Sequence, residues 1–145
     1  VADTASGAGN STVINSTEGT LYAEFSLLSQ DGVSDRTIAL QGQGQNCRIR
    51  FLIDGTLRWT LVGNNTTIAR SLTITNTNIN KVAIRYSSAS ASIWINGLLV
   101  DTALNGMTYT ALDEITMNGF YSKTKSVQVY TTALSDAELT SLTTI

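Results

Sequence analysis

The stretch from Lys81 to Val100, KVAIRYSSASASIWINGLLV, constrains the fold more than any other part of the chain. Apolar residues recur at every second position through it, and two turn signals interrupt it without changing that period. A turn at Ser88-Ala89 predicts Tyr86 opposite Ala91, Ile84 opposite Ile93 and Val82 opposite Ile95. Asn96-Gly97 is the strongest short hairpin signal there is, because both residues tolerate positive φ. It predicts Ile95 opposite Leu98 and Ile93 opposite Val100, so that Val82, Ile84, Ile93, Ile95, Leu98 and Val100 form one continuous face. Trp94 falls on the other face beside Ala83 and Leu99, flanked by Arg85 and Ser92.

The same period runs elsewhere. In GTLYAEFSLLS, Leu21, Ala23, Phe25 and Leu27 share a face opposite Tyr22, Glu24 and Ser26. RTIALQGQG reads as a further strand ending in glycines, and TIARSLTIT, LDEITMNGF and KSVQVYTTAL as others. Between Cys47 and Leu61, a two-residue Asp54-Gly55 turn would set Phe51 opposite Arg58 and mix the faces. A three-residue loop, Asp54 to Thr56, sets Ile53 opposite Leu57, Phe51 opposite Trp59 and Ile49 opposite Leu61, which places Trp59 in the core. One helix signal stands out: Ser135 and Glu138 form a capping box, and Leu139 and Leu142 give an apolar edge to a helix from about Asp136 to Leu142. Residues 1–10 are small and polar and read as a flexible lead-in or linker, leaving 11–145 as one domain. The whole predicts an all-β chain, a two-sheet antiparallel jelly-roll sandwich closed by one short C-terminal helix.

Composition narrows the function. The chain has no histidine, so Ser-His and Cys-His nucleophiles, most zinc sites and the usual general base are excluded. Its single cysteine, Cys47, excludes an internal disulfide and reads as a packed thiol. Charged residues are 14% of the chain, against roughly 25% in ordinary soluble domains, and Thr, Ser and Asn take their place. With a net charge of -2 and scattered Lys and Arg, nucleic-acid and anionic-membrane binding are not expected. No apolar run is long enough for a spanning helix. The opening VADTASGAGNST lacks the features of a signal peptide and an initiator Met, and reads as a piece of a longer polypeptide or a processed product.

KVAIRYSSASASIWINGLLV and the ending KSVQVYTTALSDAELTSL resemble the concanavalin A-like lectin/glucanase superfamily in its laminin-G-like branch. The Thr/Ser/Asn-rich texture is similar to that of bacteriophage tail-fibre and other virion structural domains. The resemblance implies a carbohydrate- or receptor-binding module of a virion or extracellular surface, or else a structural domain meeting copies of itself or neighbouring virion subunits. It implies no catalytic residue, because the family's alternating Glu-x-Asp-x-x-Glu strand is missing: Asp113-Glu114 is the only adjacent carboxylate pair, and strand neighbours point to opposite faces. Relatives often hold calcium, for which Asp31 and Asp35 in QDGVSD are the local candidates, although such residues also simply form turns. A sugar platform calls for an exposed ring with hydrogen-bonding neighbours. Trp94 with Arg85 and Ser92 is one candidate; Tyr109, Phe120 and Tyr121 are another. The alternatives are that Trp94 packs under a loop or subunit and that the loop aromatics form a satellite core.

Overall fold

A computed structural model of the protein describes residues 3–27, 35–52, 56–64, 66–72, 79–120 and 122–145. Among them are eleven strands and one helix in two antiparallel sheets. The strands are β1 (Asp3–Ala8), β2 (Gly19–Leu27), β3 (Arg36–Gly42), β4 (Gln45–Phe51), β5 (Leu57–Val62), β6 (Thr67–Leu72), β7 (Ile79–Tyr86), β8 (Ala91–Ile95), β9 (Leu98–Ala103), β10 (Glu114–Phe120) and β11 (Ser122–Tyr130), followed by α1 (Asp136–Thr143). The six-stranded sheet runs β1-β10-β3-β4-β5-β6 and the five-stranded sheet β11-β2-β7-β8-β9. This is the jelly-roll sandwich that the alternation predicts.

The inward faces meet as expected of period-two strands. Ile38, Leu40, Cys47, Ile49, Phe51, Leu57, Trp59 and Leu61 from one sheet pack on Leu21, Ala23, Phe25, Val82, Ile84 and Ile93 from the other. Each Leu, Ile, Val and Phe among them contributes on the order of 1.5–3 kcal/mol by leaving water. Phe25 and Phe51 meet edge to face across the interior, 5.0 Å between centroids. Burial pushes the Cys47 thiol well above its ordinary range, which makes it a packing residue without nucleophilic character.

The predicted β7–β8 register is the observed one, from Val82↔Ile95 to Tyr86↔Ala91. Asn96 and Gly97 both take positive φ, 51° and 84°. Gln43 and Gly44 do the same, at 50° and 78°, and close the β3–β4 hairpin without the usual Asn.

Three expectations need correction. Residues 3–8 are not a lead-in outside the fold: they form β1, which pairs irregularly with β10 at the sheet edge. Small residues permit that pairing because an edge strand needs backbone hydrogen bonds more than side-chain packing. Next, β4 and β5 pair with Phe51 opposite Leu57 and Ile49 opposite Trp59, two residues away from the predicted register. The connection is longer, closed by Leu52 N–H donating to the Thr56 carbonyl at 2.9 Å, with residues 53–55 outside the described residues. A slip of two keeps every side chain on its face, so Trp59 is buried as expected.

The last correction concerns β9. Trp94 pairs with Leu99 but Ile93 pairs with Asp101, so Val100 is the extra residue of a β-bulge. The bulge aims Asp101 into the sandwich, where it accepts from the buried Trp59 indole N–H at 3.1 Å and from Arg70 at 3.0 Å. A buried indole needs such an acceptor. Val100 thereby leaves the inner face, and Leu98, although it stands opposite Ile95 as predicted, is exposed as well.

Candidate functional site

The five-stranded sheet turns Tyr22, Ala83 and Trp94 outward, and α1 covers them. Leu139 is fully buried against these residues, with Tyr130, Leu134 and Leu142 packed around them. The helix is fixed by its capping box, in which the Ser135 side chain accepts from Glu138 N–H and the Glu138 carboxylate accepts from Ser135 N–H. Arg85 stacks its guanidinium 4.8 Å from the Trp94 ring centroid and donates to the Leu134 carbonyl and to Asp136 Oδ1. At the far end Gly97 N–H donates to Thr143 Oγ1 and Lys81 Nζ to the Thr144 carbonyl. Beside the helix, Tyr22 is pushed up to about 12, first by burial and then by Glu24, whose own carboxyl is held low chiefly by its bond with Lys125.

Trp94 is therefore 2% exposed, and Ser92 is fully buried. The ring has no free face for a sugar, because α1 occupies the space that a platform needs. Tyr109 is likewise part of the main core, edge-on to Tyr86 at 5.3 Å. Of the remaining candidates, the Phe120 side chain, Tyr121 and Asp31 lie outside the described residues. Asp35 forms an ion pair with Arg50.

The outward face of the six-stranded sheet differs. Since Cys47, Ile49 and Phe51 point inward, Asn46, Arg48 and Arg50 point outward; Arg58 and Thr60 do so on β5 by the same alternation. The register sets them in rows. Arg50 stands opposite Arg58 with Thr37 and Ser71 beyond; Arg48 stands opposite Thr60 with Ala39 and Ala69 beyond. Gln41 and Asn46 pair in the next row, where Glu114 accepts from Gln41. Beside them lies a recess of about 340 Å³ at the β3–β4 hairpin, lined by Gln41, Asn46 and Glu114 among others.

Three guanidinium groups thus sit on adjacent positions of neighbouring strands. Like charges directly opposite on a sheet are destabilising. Asp35 offsets one of them through Arg50, and Arg58 Nε donates to Ser71 Oγ at 3.2 Å. Burial, and then the neighbouring Arg50, hold the Arg48 guanidinium below its usual range. Arg48 Nε, Thr60 Oγ1 and Asn46 Oδ1 are buried and have no hydrogen-bond partner among the described residues. Unpaired polar atoms of this kind are costly in a folded chain, and their grouping on one face marks a place where a polar ligand would supply the missing bonds. The period-two pattern already turned these side chains outward; the predicted β4–β5 register separated Arg50 from Arg58, and so hid the cluster.

No family model matches the sequence, and no curated protein matches it. Solved structures do match in fold. The CBM40 module of the Ruminococcus gnavus IT-sialidase, bound to α2,3-sialyllactose, superimposes with a TM-score of 0.71 at 18% identity, over 97% of this chain and 94% of that one. A structure of botulinum neurotoxin type C, described as depending on two ganglioside molecules for cell entry, gives 0.67 at 15% identity over 87% of this chain and 35% of that one. A heptameric pentraxin from Limulus polyphemus gives 0.63 at 14% identity, over 85% and 68%. At these identities the likeness carries the lectin-like jelly-roll fold.

Proposed function

We propose that the domain is a non-catalytic carbohydrate-binding module whose ligand lies on the outward face of the six-stranded sheet. The observation that carries this reading is the row of buried, unpartnered polar atoms on β4 and β5: Asn46 Oδ1, Arg48 Nε and Thr60 Oγ1. Sugars present many hydroxyls in fixed directions and suit a surface of fixed donors and acceptors. The structural neighbours bound to sialyllactose or tied to gangliosides support the ligand class. The missing histidine and missing carboxylate pair support binding without turnover. We further propose the laminin-G-like branch and a place in a larger virion appendage or extracellular surface protein. Their support is the closing segment from Tyr130 to Glu138 and the Thr/Ser/Asn-rich texture.

A glycan array probed with the wild-type domain and with Asn46→Ala tests the binding reading. Retention on defined glycans, weakened in the variant, is the expected outcome; silence across all glycan classes would overturn it. One observation favours a second reading, an assembly domain. Edge strand β9 exposes Leu98, Leu99 and Val100 in succession, with Leu104 after it. Light scattering that finds a stable oligomer, together with a silent array, would favour that role.

A further inference from the structure

Resting on the carbohydrate reading, we infer that the sugar bound on this face is acidic, its anionic group seated against Arg48 between Arg50 and Arg58. The three arginines are not equivalent. Arg50 is held by Asp35 and Arg58 by Ser71. Arg48 has no ion pair or hydrogen bond among the described residues, and its Nε is buried. Its guanidinium therefore keeps its donors for a ligand while its neighbours are fixed in place.

The surroundings are shaped for this. Ala39 and Thr60 flank Arg48 on either side across the sheet, and both are small. Thr60 is only 3% exposed, and its hydroxyl has no partner among the described residues, so a second polar group beside Arg48 also lacks its bond. Among the described residues one carboxylate, Asp35, is paired with these three guanidinium groups, through Arg50, while Glu114 in the next row is bound to Gln41, which leaves an excess of positive charge at Arg48 and Arg58. A neutral sugar would fill the hydroxyl-type bonds and leave that excess unbalanced. A carboxylate or sulfate on the ring accepts from the planar Arg fork and removes the repulsion at the same time. The cluster is local in a chain of net charge -2, so it fits a small anionic group better than a long polyanion.

The test compares matched pairs on the intact domain: sialyllactose and sulfated lactose against lactose, and uronic-acid oligosaccharides against their neutral counterparts, with a DNA oligomer as a polyanion control. Titration calorimetry is run at low and high NaCl. At least one acidic sugar is expected to bind about tenfold or more tightly than its neutral partner, and the preference should shrink at high salt. Carboxylated and sulfated arms identify which anion is read. In Arg48→Gln the acidic-to-neutral ratio should collapse toward one, and Arg48→Lys should recover part of it. Equal binding of acidic and neutral sugars would overturn this inference and leave the carbohydrate reading standing. Binding of no sugar at all would overturn both. DNA binding as tight as that of the acidic sugars would also overturn it, because it would reduce the face to an unselective basic patch. Should Arg48→Gln fail to fold, the matched pairs and salt series on the wild type decide alone.

Discussion

The two outward faces of the sandwich carry opposite cargo. The five-stranded sheet presents Trp94, Tyr22 and Ala83 outward, and α1 lies over them. The six-stranded sheet presents Arg48, Arg50 and Arg58 outward, and α1 packs against β7, β8 and β9 of the other sheet. The difference follows from what each surface loses on leaving water. An apolar ring with small neighbours gains by being covered, and Leu139 and Leu142 supply the cover. A cluster of guanidinium groups would have to be stripped of water without an equal number of partners. A large aromatic on a sheet face thus marks the side that α1 covers, and paired arginines mark the side that α1 leaves open.

The largest expected effect tests the covered side. Trp94→Ala removes a ring buried between the sheet and α1 and should cost about 3–5 kcal/mol. Denaturant unfolding measures it. An unchanged midpoint would mean that the ring contributes little burial, and the contrast between the two faces would fail. Gly97→Val should come next, at about 1–3 kcal/mol, because a β-branched residue is forced to positive φ. The added Cβ also meets Thr144 Oγ1 at 3.2 Å, so the variant strains both the hairpin and the docked end of the helix. If Gly97→Val unfolds at the same denaturant concentration as the wild type, the turn does not hold that end.

A smaller effect is expected at the helix start. Ser135→Ala should cost about 1 kcal/mol. Hydrogen exchange should quicken first over α1, and equal exchange in variant and wild type would show that the cap does not hold the cover down. The Glu138 carboxyl is held below its ordinary range by its bonds from Ser135. Its contribution is therefore present above the unfolded value of about 4.3 and is lost as pH falls through the lower folded value. Thermal melts of wild type and Glu138→Gln should accordingly converge in acid. A gap that persists at the lowest pH would assign the effect to something other than the carboxylate.

Most of the fold was legible because period two and turn chemistry are local. The Ser88-Ala89 turn fixed the β7–β8 register, Asn96-Gly97 fixed the first β8–β9 pair, Ile95 with Leu98, and Ser135 with Glu138 located the helix to within a residue. The site was harder, for two physical reasons. Register slips of two preserve hydrophobicity on each face, so nothing local could tell that Phe51 meets Leu57 and that Arg50 therefore meets Arg58. The helix signal, meanwhile, said that α1 forms but not which face it covers, and Trp94 looked available until the docking of Leu139 removed it. The Val100 bulge had no sequence mark, because its cause is the demand of the Trp59 indole for Asp101.

The smallest effect is expected on the open side, and its sign is informative. Arg48 is dehydrated and stands beside Arg50, its Nε has no hydrogen-bond partner among the described residues, and Asp35 offsets these costs only in part and without contact. In the unliganded domain it is a residue that the fold tolerates. Arg48→Gln should change stability by no more than about 0.5 kcal/mol, as for surface substitutions, and in the stabilising direction, since it removes a repulsion and a desolvated charge. Calorimetric melts of the free domain measure this directly. The pattern that sharpens the contrast between the faces is a variant that melts at or above the wild type while losing its ligand, the usual mark of a binding group held at some cost to the fold. A destabilised Arg48→Gln would instead make Arg48 a structural residue, and the outward face of the six-stranded sheet would then serve the fold as fully as the face beneath α1 does.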